Sequence, residues 1–189
     1  MPVWAIILIS IVVVLIIAVI ACYNSLINLD ERVNEAWSDI TVQLKYRADL
    51  IPNIVEAVKG YAKHEKDAFM DVTKARTAVG NINSVKDAIE AEKEMQSVVS
   101  RIMAVAESYP ELKANENFMD LQGKLQDCED KLQAARRFYN AGAKDLNTKI
   151  KVFPTIIINK LILHFKKRDY FNVDSAEMSR IEKAPEVKF

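Results

Sequence analysis

The sequence predicts an all-α protein, in which an N-terminal transmembrane helix continues into an antiparallel bundle of three long helices plus a shorter fourth helix. Three observations carry that expectation. Residues 3–22, "VWAIILISIVVVLIIAVIAC", hold one polar side chain, Ser10, and no charge. The 189 residues contain only four Gly and five Pro, while the chain after the apolar run is dense in Ala, Leu, Lys, Glu, Asp and Gln, residues that form helices or are tolerated on helix surfaces. Beyond residue 23, apolar side chains recur with the period of a helix that buries one face.

The apolar run is long enough to span about 30 Å as a helix, the thickness of a bilayer's hydrocarbon core. Trp4 and Tyr23 bracket it where interfacial aromatics belong. A rival reading rests on Val19-Ile20-Ala21-Cys22, which looks like a bacterial lipoprotein site that would leave a lipidated Cys22 at a new N-terminus. Against it, Met1-Pro2 carries no cation and the run exceeds the ~7–15 apolar residues of a signal. The anchor is the favoured reading. Arg32 alone lies close behind the run; this single positive charge favours a cytoplasmic bundle, although a long C-terminal domain can be translocated regardless of it.

The first bundle helix meets a proline in "DLIPNIVEAVKGY". Counted at about 100° per residue, Ile40, Leu44, Ala48, Ile51, Val55, Val58, Ala62 and Phe69 share the Trp37 direction, and Leu26, Val33 and Leu29 join them backwards. A stripe that keeps its phase across Pro52 predicts one helix that is kinked rather than ended, despite a local cost of ~3 kcal/mol. The anchor and this helix are therefore expected to form one rod to about residue 79, with Gly80 and "NINS" as the stop and new start.

Ser84 with Asp87 resembles a capping box, and Val85, Ile89, Met95, Val98, Ile102 and Val105 predict a second helix to about Ser108. "YPELKANEN" reads as a turn, with Asn115 or Asn117 capping a third helix. That helix carries Phe118, Leu121, Leu125, Cys128, Leu132, Ala135, Tyr139 and Leu146 on one stripe and ends near Phe153-Pro154. "TIIINKLILHF" then gives a segment too short to cross a bilayer, followed by Lys166-Lys167-Arg168. It is either a short helix closing the bundle or a surface for self-association or for lying on a membrane, formed by Ile156, Ile157, Ile158, Leu161, Ile162, Leu163 and Phe165. The expected division is an anchor over 1–22, a bundle over 23–165 and a tail over 166–189.

Chemistry is sparse. Lys plus Arg and Asp plus Glu both number 26, so no overall field draws the chain to nucleic acid or to anionic lipid. Cys22 and Cys128 form neither a disulfide framework nor a metal spacing. His64-Glu65 begins like a zinc-protease motif, but Ala68 stands where the second ligand belongs, and His164 is solitary. No catalytic, cofactor-binding or metal-binding residue is assigned. Polar residues close to the stripes remain: Gln43, Arg47, Asp49, Asn53 and Glu56 in the first helix, Glu107, and Arg136 and Asn140 in the third. They are expected to form a hydrogen-bonded network that fixes helix register, with a ligand- or partner-binding cluster as the alternative.

Several strings resemble the LemA family of bacterial membrane-anchored proteins: "YNSLINLDERVNEAWSDITVQLKYRADLIPNIVEAVKGYAKHE", "AVAESYPELKANENFMDLQGKLQDCEDKLQAARRFYNAGAKDLNTKI", "FPTIII" and "APEVKF". Trp37, Asp49, Pro52, Asn53, Glu107, Tyr109, Pro110, Lys113, Arg136, Tyr139 and Asn140 stand at positions of the family pattern. The resemblance implies a single-pass protein of the bacterial inner membrane with a cytoplasmic bundle of long helices. Some members instead have a lipoprotein-type start. It brings no established enzymatic activity, and magnetosome-associated relatives hint at membrane organisation. "TIIINKLILHF" is more apolar than the family's usual sequence there.

Together these readings predict a non-enzymatic, membrane-anchored scaffold that associates with copies of itself or with other membrane proteins. The alternative is a tethered ligand- or protein-binding module. No cofactor and no nucleic acid is expected.

Overall fold

The computed structural model describes residues 2–61 and 71–171. Helix α1 runs Val3–Lys59, 57 residues, about 85 Å at the rise of an α-helix. It passes Pro52 without interruption, because the apolar stripe needs burial on both sides of the proline. Leu26, Val33, Ile40, Leu44, Ala48, Ile51, Val55 and Val58 are all buried. Ala36, Leu50 and Ile54 are buried too, a wider face than the stripe alone, since α1 packs against several other helices rather than one.

The rod is shorter than expected. It ends at Lys59 with Gly60 as its C-cap, and the Tyr61 N–H donates to the Val58 carbonyl at 3.0 Å. Helix α2, Val72–Gly80, runs back along α1, with Arg76 3.9 Å from Asp49. A stripe in phase does not distinguish a straight helix from one that folds back, since Val72, Ala75 and Val79 are buried in this hairpin as they would be in a longer rod. Gly60, which costs about 1 kcal/mol inside a helix, marks the stop. Ala62 and Phe69, assigned to the same stripe, lie outside the described residues.

Helix α3, Val85–Glu107, begins at Ser84, whose Oγ accepts the Asp87 N–H at 3.2 Å. The Asp87 carboxylate accepts from the Asn83 N–H at 3.1 Å, so the reciprocal bond falls one residue before the cap. The Asn83 N–H first, and then the Ser84 hydroxyl, hold the Asp87 carboxyl below its ordinary value. Ser84→Ala is expected to lower stability by about 1 kcal/mol, measured as a shifted denaturant midpoint. Buried Ala88, Ala91, Met95, Val98, Ile102 and Ala106 centre the packed face on alanines, leaving Val85, Ile89 and Val105 half-buried beside it. Asp71–Arg101 at 2.5 Å and Lys74–Glu94 at 2.7 Å clasp α2 to α3 as antiparallel neighbours.

A single turn, α4 (Pro110–Lys113), leads to α5, Glu116–Lys149, capped by Asn115, which accepts the Phe118 N–H at 3.2 Å. Helix α5 is antiparallel to α1: Asn115 meets Tyr61, Cys128 meets Gln43, and Gly142 meets Val33. A Cβ on Gly142 would stand 3.3 Å from the Val33 Cγ2, so the absence of a side chain there permits the close approach.

The chain then turns through α6, Thr155–Ile158, which passes directly into one π-helical turn, Asn159–Leu163. His164, at φ 55°, ends it in the left-handed region, a conformation uncommon for non-Gly residues but one that His, like Asn and Asp, adopts more often than most. Residues 165–171 follow as an extended strap.

Candidate functional site

The polar residues divide into an interior cluster, a strap site and a set left on the surface. Arg47 emerges from the apolar stripe of α1 with 4% of its surface exposed. Its Nη1 donates to Glu129 Oε2 on α5 at 2.8 Å and its Nη2 to Gln96 Oε1 on α3 at 2.5 Å. Arg136 on α5 pairs with Glu92 on α3 and lies 3.9 Å from Glu129. Two guanidinium groups and two carboxylates thus join three helices at one level. The Nε of each arginine is buried and finds no hydrogen-bond partner among the described residues. Next to this cluster the Cys128 thiol donates to the Gln43 carbonyl at 3.4 Å. Burial pushes that thiol above its ordinary value, so it behaves as a small apolar group rather than a nucleophile.

Sequence reasoning named Arg47 and Arg136 but missed Glu92, Gln96 and Glu129. Gln43 reaches the cluster's edge through its carbonyl. Asp49, Asn53, Glu56 and Glu107 are exposed and do not join it. Each is displaced from the buried face, and proximity to a stripe in sequence does not fix which side of it a residue takes. Asp49 and Glu56 lie with Pro52 and Arg76 along the α1–α2 junction, where Pro52, Glu56 and Arg76 line an open cleft of about 460 Å³. His64, Glu65 and Ala68 lie outside the described residues.

Burial, first, raises the Glu92 carboxyl above its ordinary value, with Arg136 opposing. The folded state therefore holds the Glu92 proton more tightly than the unfolded chain does. The stability this gives is present below the ordinary carboxylate range and lost as pH rises through the raised value. Denaturant unfolding of the wild type and Glu92→Gln from about pH 4 to pH 7 is expected to show the wild type losing ground to the variant as pH rises.

Asn140 belongs to the second site. Its Nδ2 donates to the Phe171 carbonyl and its Oδ1 accepts the Phe171 N–H, both at 2.8 Å. Asn147 repeats the grip on Arg168, at 2.9 and 2.8 Å, and Asn159 on Phe165, at 3.2 and 2.8 Å. A side-chain amide carries the donor and acceptor of a peptide unit, so each asparagine pairs with the strap as a neighbouring strand would. The spacing follows from geometry. Seven residues of helix advance about 10.5 Å, and three extended residues cover about 10 Å. Tyr139 donates its hydroxyl to the Asp169 carbonyl at 3.0 Å and leans on Trp37, ring centroids 5.9 Å apart. Arg136 lies over the buried Phe171 ring at 5.3 Å. Arg168 crosses to α1, donating to Asp30 at 2.8 Å and Asn34 at 3.0 Å. The family-pattern residues Trp37, Arg136, Tyr139 and Asn140 thus meet around the strap.

Of the residues expected to form an association surface, Ile157, Leu161 and Ile162 are exposed, Ile158 is buried, and Ile156, Leu163 and Phe165 are half-buried. Cys22 lies within α1, half-buried against the core.

An almost wholly helical chain, whose long apolar N-terminal helix runs on into a bundle closed by an internal ionic cluster, is a membrane-associated helical-bundle protein. The chain belongs to the LemA family, whose model matches residues 36–189. It is similar to Protein LemA of Metamycoplasma hominis, 26% identical over 161 residues that cover 85% of this chain and 71% of that protein. It is also similar to Magnetosome protein MamQ 2 of Paramagnetospirillum magneticum, 25% identical over 198 residues, 90% of this chain and 72% of the relative.

Proposed function

We propose that this protein is a non-enzymatic scaffold of the bacterial inner membrane that holds a rigid bundle on the cytoplasmic side and associates with copies of itself or with other membrane proteins. The observation that carries the reading is α1: one helix supplies both the apolar run and the central stripe of the bundle, with no linker between them. A bundle joined in this way has a fixed height and orientation over the bilayer, which suits ordered assembly. The similarity to proteins named LemA and MamQ supports the membrane setting.

The test is crosslinking in native membranes, paired with a variant carrying a flexible Gly/Ser insertion after Tyr23. Discrete assemblies that the insertion abolishes, with helicity retained, are the expected result. Monomer alone over a wide concentration range would refute self-association.

The strap site favours a second reading, a tethered protein-binding module, because its asparagines grip backbone amides and so tolerate varied sequence. That reading requires a partner whose binding is lost in Asn140→Ala and unaffected by the insertion after Tyr23.

A further inference from the structure

The basic segment over residues 149–168 and the membrane end of the bundle are the same place. Antiparallel pairing brings Asn147 of α5 and Arg168 of the strap level with Asp30 of α1. The chain between them, residues 150–164, therefore lies at the membrane end, where α6 packs on α1 and both Leu26 and Cys22 enter the core. Asp30 is eight residues past the end of the apolar run at Cys22, or about 12 Å of helix, and α6 lies on the membrane side of that level. The polar layer of a leaflet is roughly 5–8 Å thick.

The turn has two faces. Thr155, Ile158 and Asn159 are buried, while Phe153 is 79% exposed, Leu161 72%, Ile162 56% and Ile157 48%. Residues 149–168 contain Lys149, Lys151, Lys160, Lys166, Lys167 and Arg168 and no acidic residue, although the whole chain is neutral. Lys151, Lys160, Lys166 and Lys167 are exposed, and the Asp30 carboxylate is engaged by Arg168.

From this placement we propose that α6 and the π turn are a lipid-binding foot. Phe153, Ile157, Leu161 and Ile162 enter the boundary between headgroups and acyl chains of the leaflet from which α1 emerges, and the four exposed lysines meet anionic headgroups. Apolar side chains ringed by lysines fit an interfacial element, and lysines near an anionic leaflet add attraction within a Debye length of its surface. The foot would meet the bilayer whether the chain is held by its apolar helix or by an acyl group on Cys22. It needs no self-association, so the scaffold reading and this one fail separately.

The experiment uses the full-length protein in nanodiscs doped with a lipid carrying a photoactivatable diazirine near the glycerol end of its acyl chain. Adducts are mapped by mass spectrometry. The expected result is at least fivefold more labelling of residues 152–163 than of the far end of α5, Glu116 to Lys131. Raising the share of phosphatidylglycerol should increase the labelling, and Lys166→Glu with Lys167→Glu should reduce it. Leu161→Asp with Ile162→Asp, at side chains already exposed, should remove it without loss of helicity. Labelling no higher than at the far end of α5 overturns the proposal. So does a segment shielded from lipid that crosslinks to a second copy, which would assign the same face to self-association.

Discussion

Arg47→Ala is expected to destabilise the bundle by about 3 kcal/mol. The guanidinium reaches α3 and α5 together from α1, through Gln96 and Glu129. Its removal leaves the Glu129 carboxylate partly buried, with the Arg136 guanidinium at 3.9 Å and a long bond of 3.4 Å from the Gln133 amide. The cost falls at the lower end of the range for a broken buried pair because the Glu129 side chain retains 24% exposure and some access to water. Arg47→Met with Glu129→Met should recover much of the loss, since well-packed apolar side chains replace a buried pair at little or no cost. Chemical denaturation of the wild type, Arg47→Ala and the double variant, in detergent micelles, measures this. Loss of a partner interaction in Arg47→Ala at unchanged stability would instead make the cluster a binding site.

Asn140→Ala with Asn147→Ala is expected to release the strap. Four hydrogen bonds are lost, each worth about 1 kcal/mol net, so the local stability of residues 165–171 should fall by about 4 kcal/mol. Amide exchange of Arg168 and Phe171 reads this directly: their protection should drop several-hundredfold while that of the α1 core holds. Unchanged protection would mean that burial of Phe171 and the Arg168–Asp30 pair hold the strap without the amides.

The helices were legible where one local signal sufficed. Ser84 and Asn115 announced their helices as caps, and the stripe across Pro52 announced the continuity of α1. The reversal after Gly60 was not legible, because a folded-back helix buries the same residues as a longer rod. In the cluster, Glu92 and Gln96 carry no sign of their role: each reads as an exposed helix residue until α3 is set against Arg47 and Arg136. Asn147 is the clearest missed signal. It lies seven residues after Asn140 on the same face, and an amide repeated every two turns in a helix could have been read as a site for an extended segment. The acceptor strap, from Phe165 to Phe171, was divided at residue 165 between bundle and tail, since a chain gripped through its backbone leaves no apolar period.

The unbroken α1 also sets a mechanical ratio. From Cys22 to Lys59 it extends about 55 Å, so a change of 20° in the tilt of the anchor, within the range found for membrane helices, sweeps the Lys59 end sideways by about 19 Å. A few ångströms of change in bilayer thickness, accommodated by tilt, is thereby magnified at the far end of the bundle. The apolar face of α6, close beside the pivot on the bundle side, is placed to resist that swing or to fix its direction.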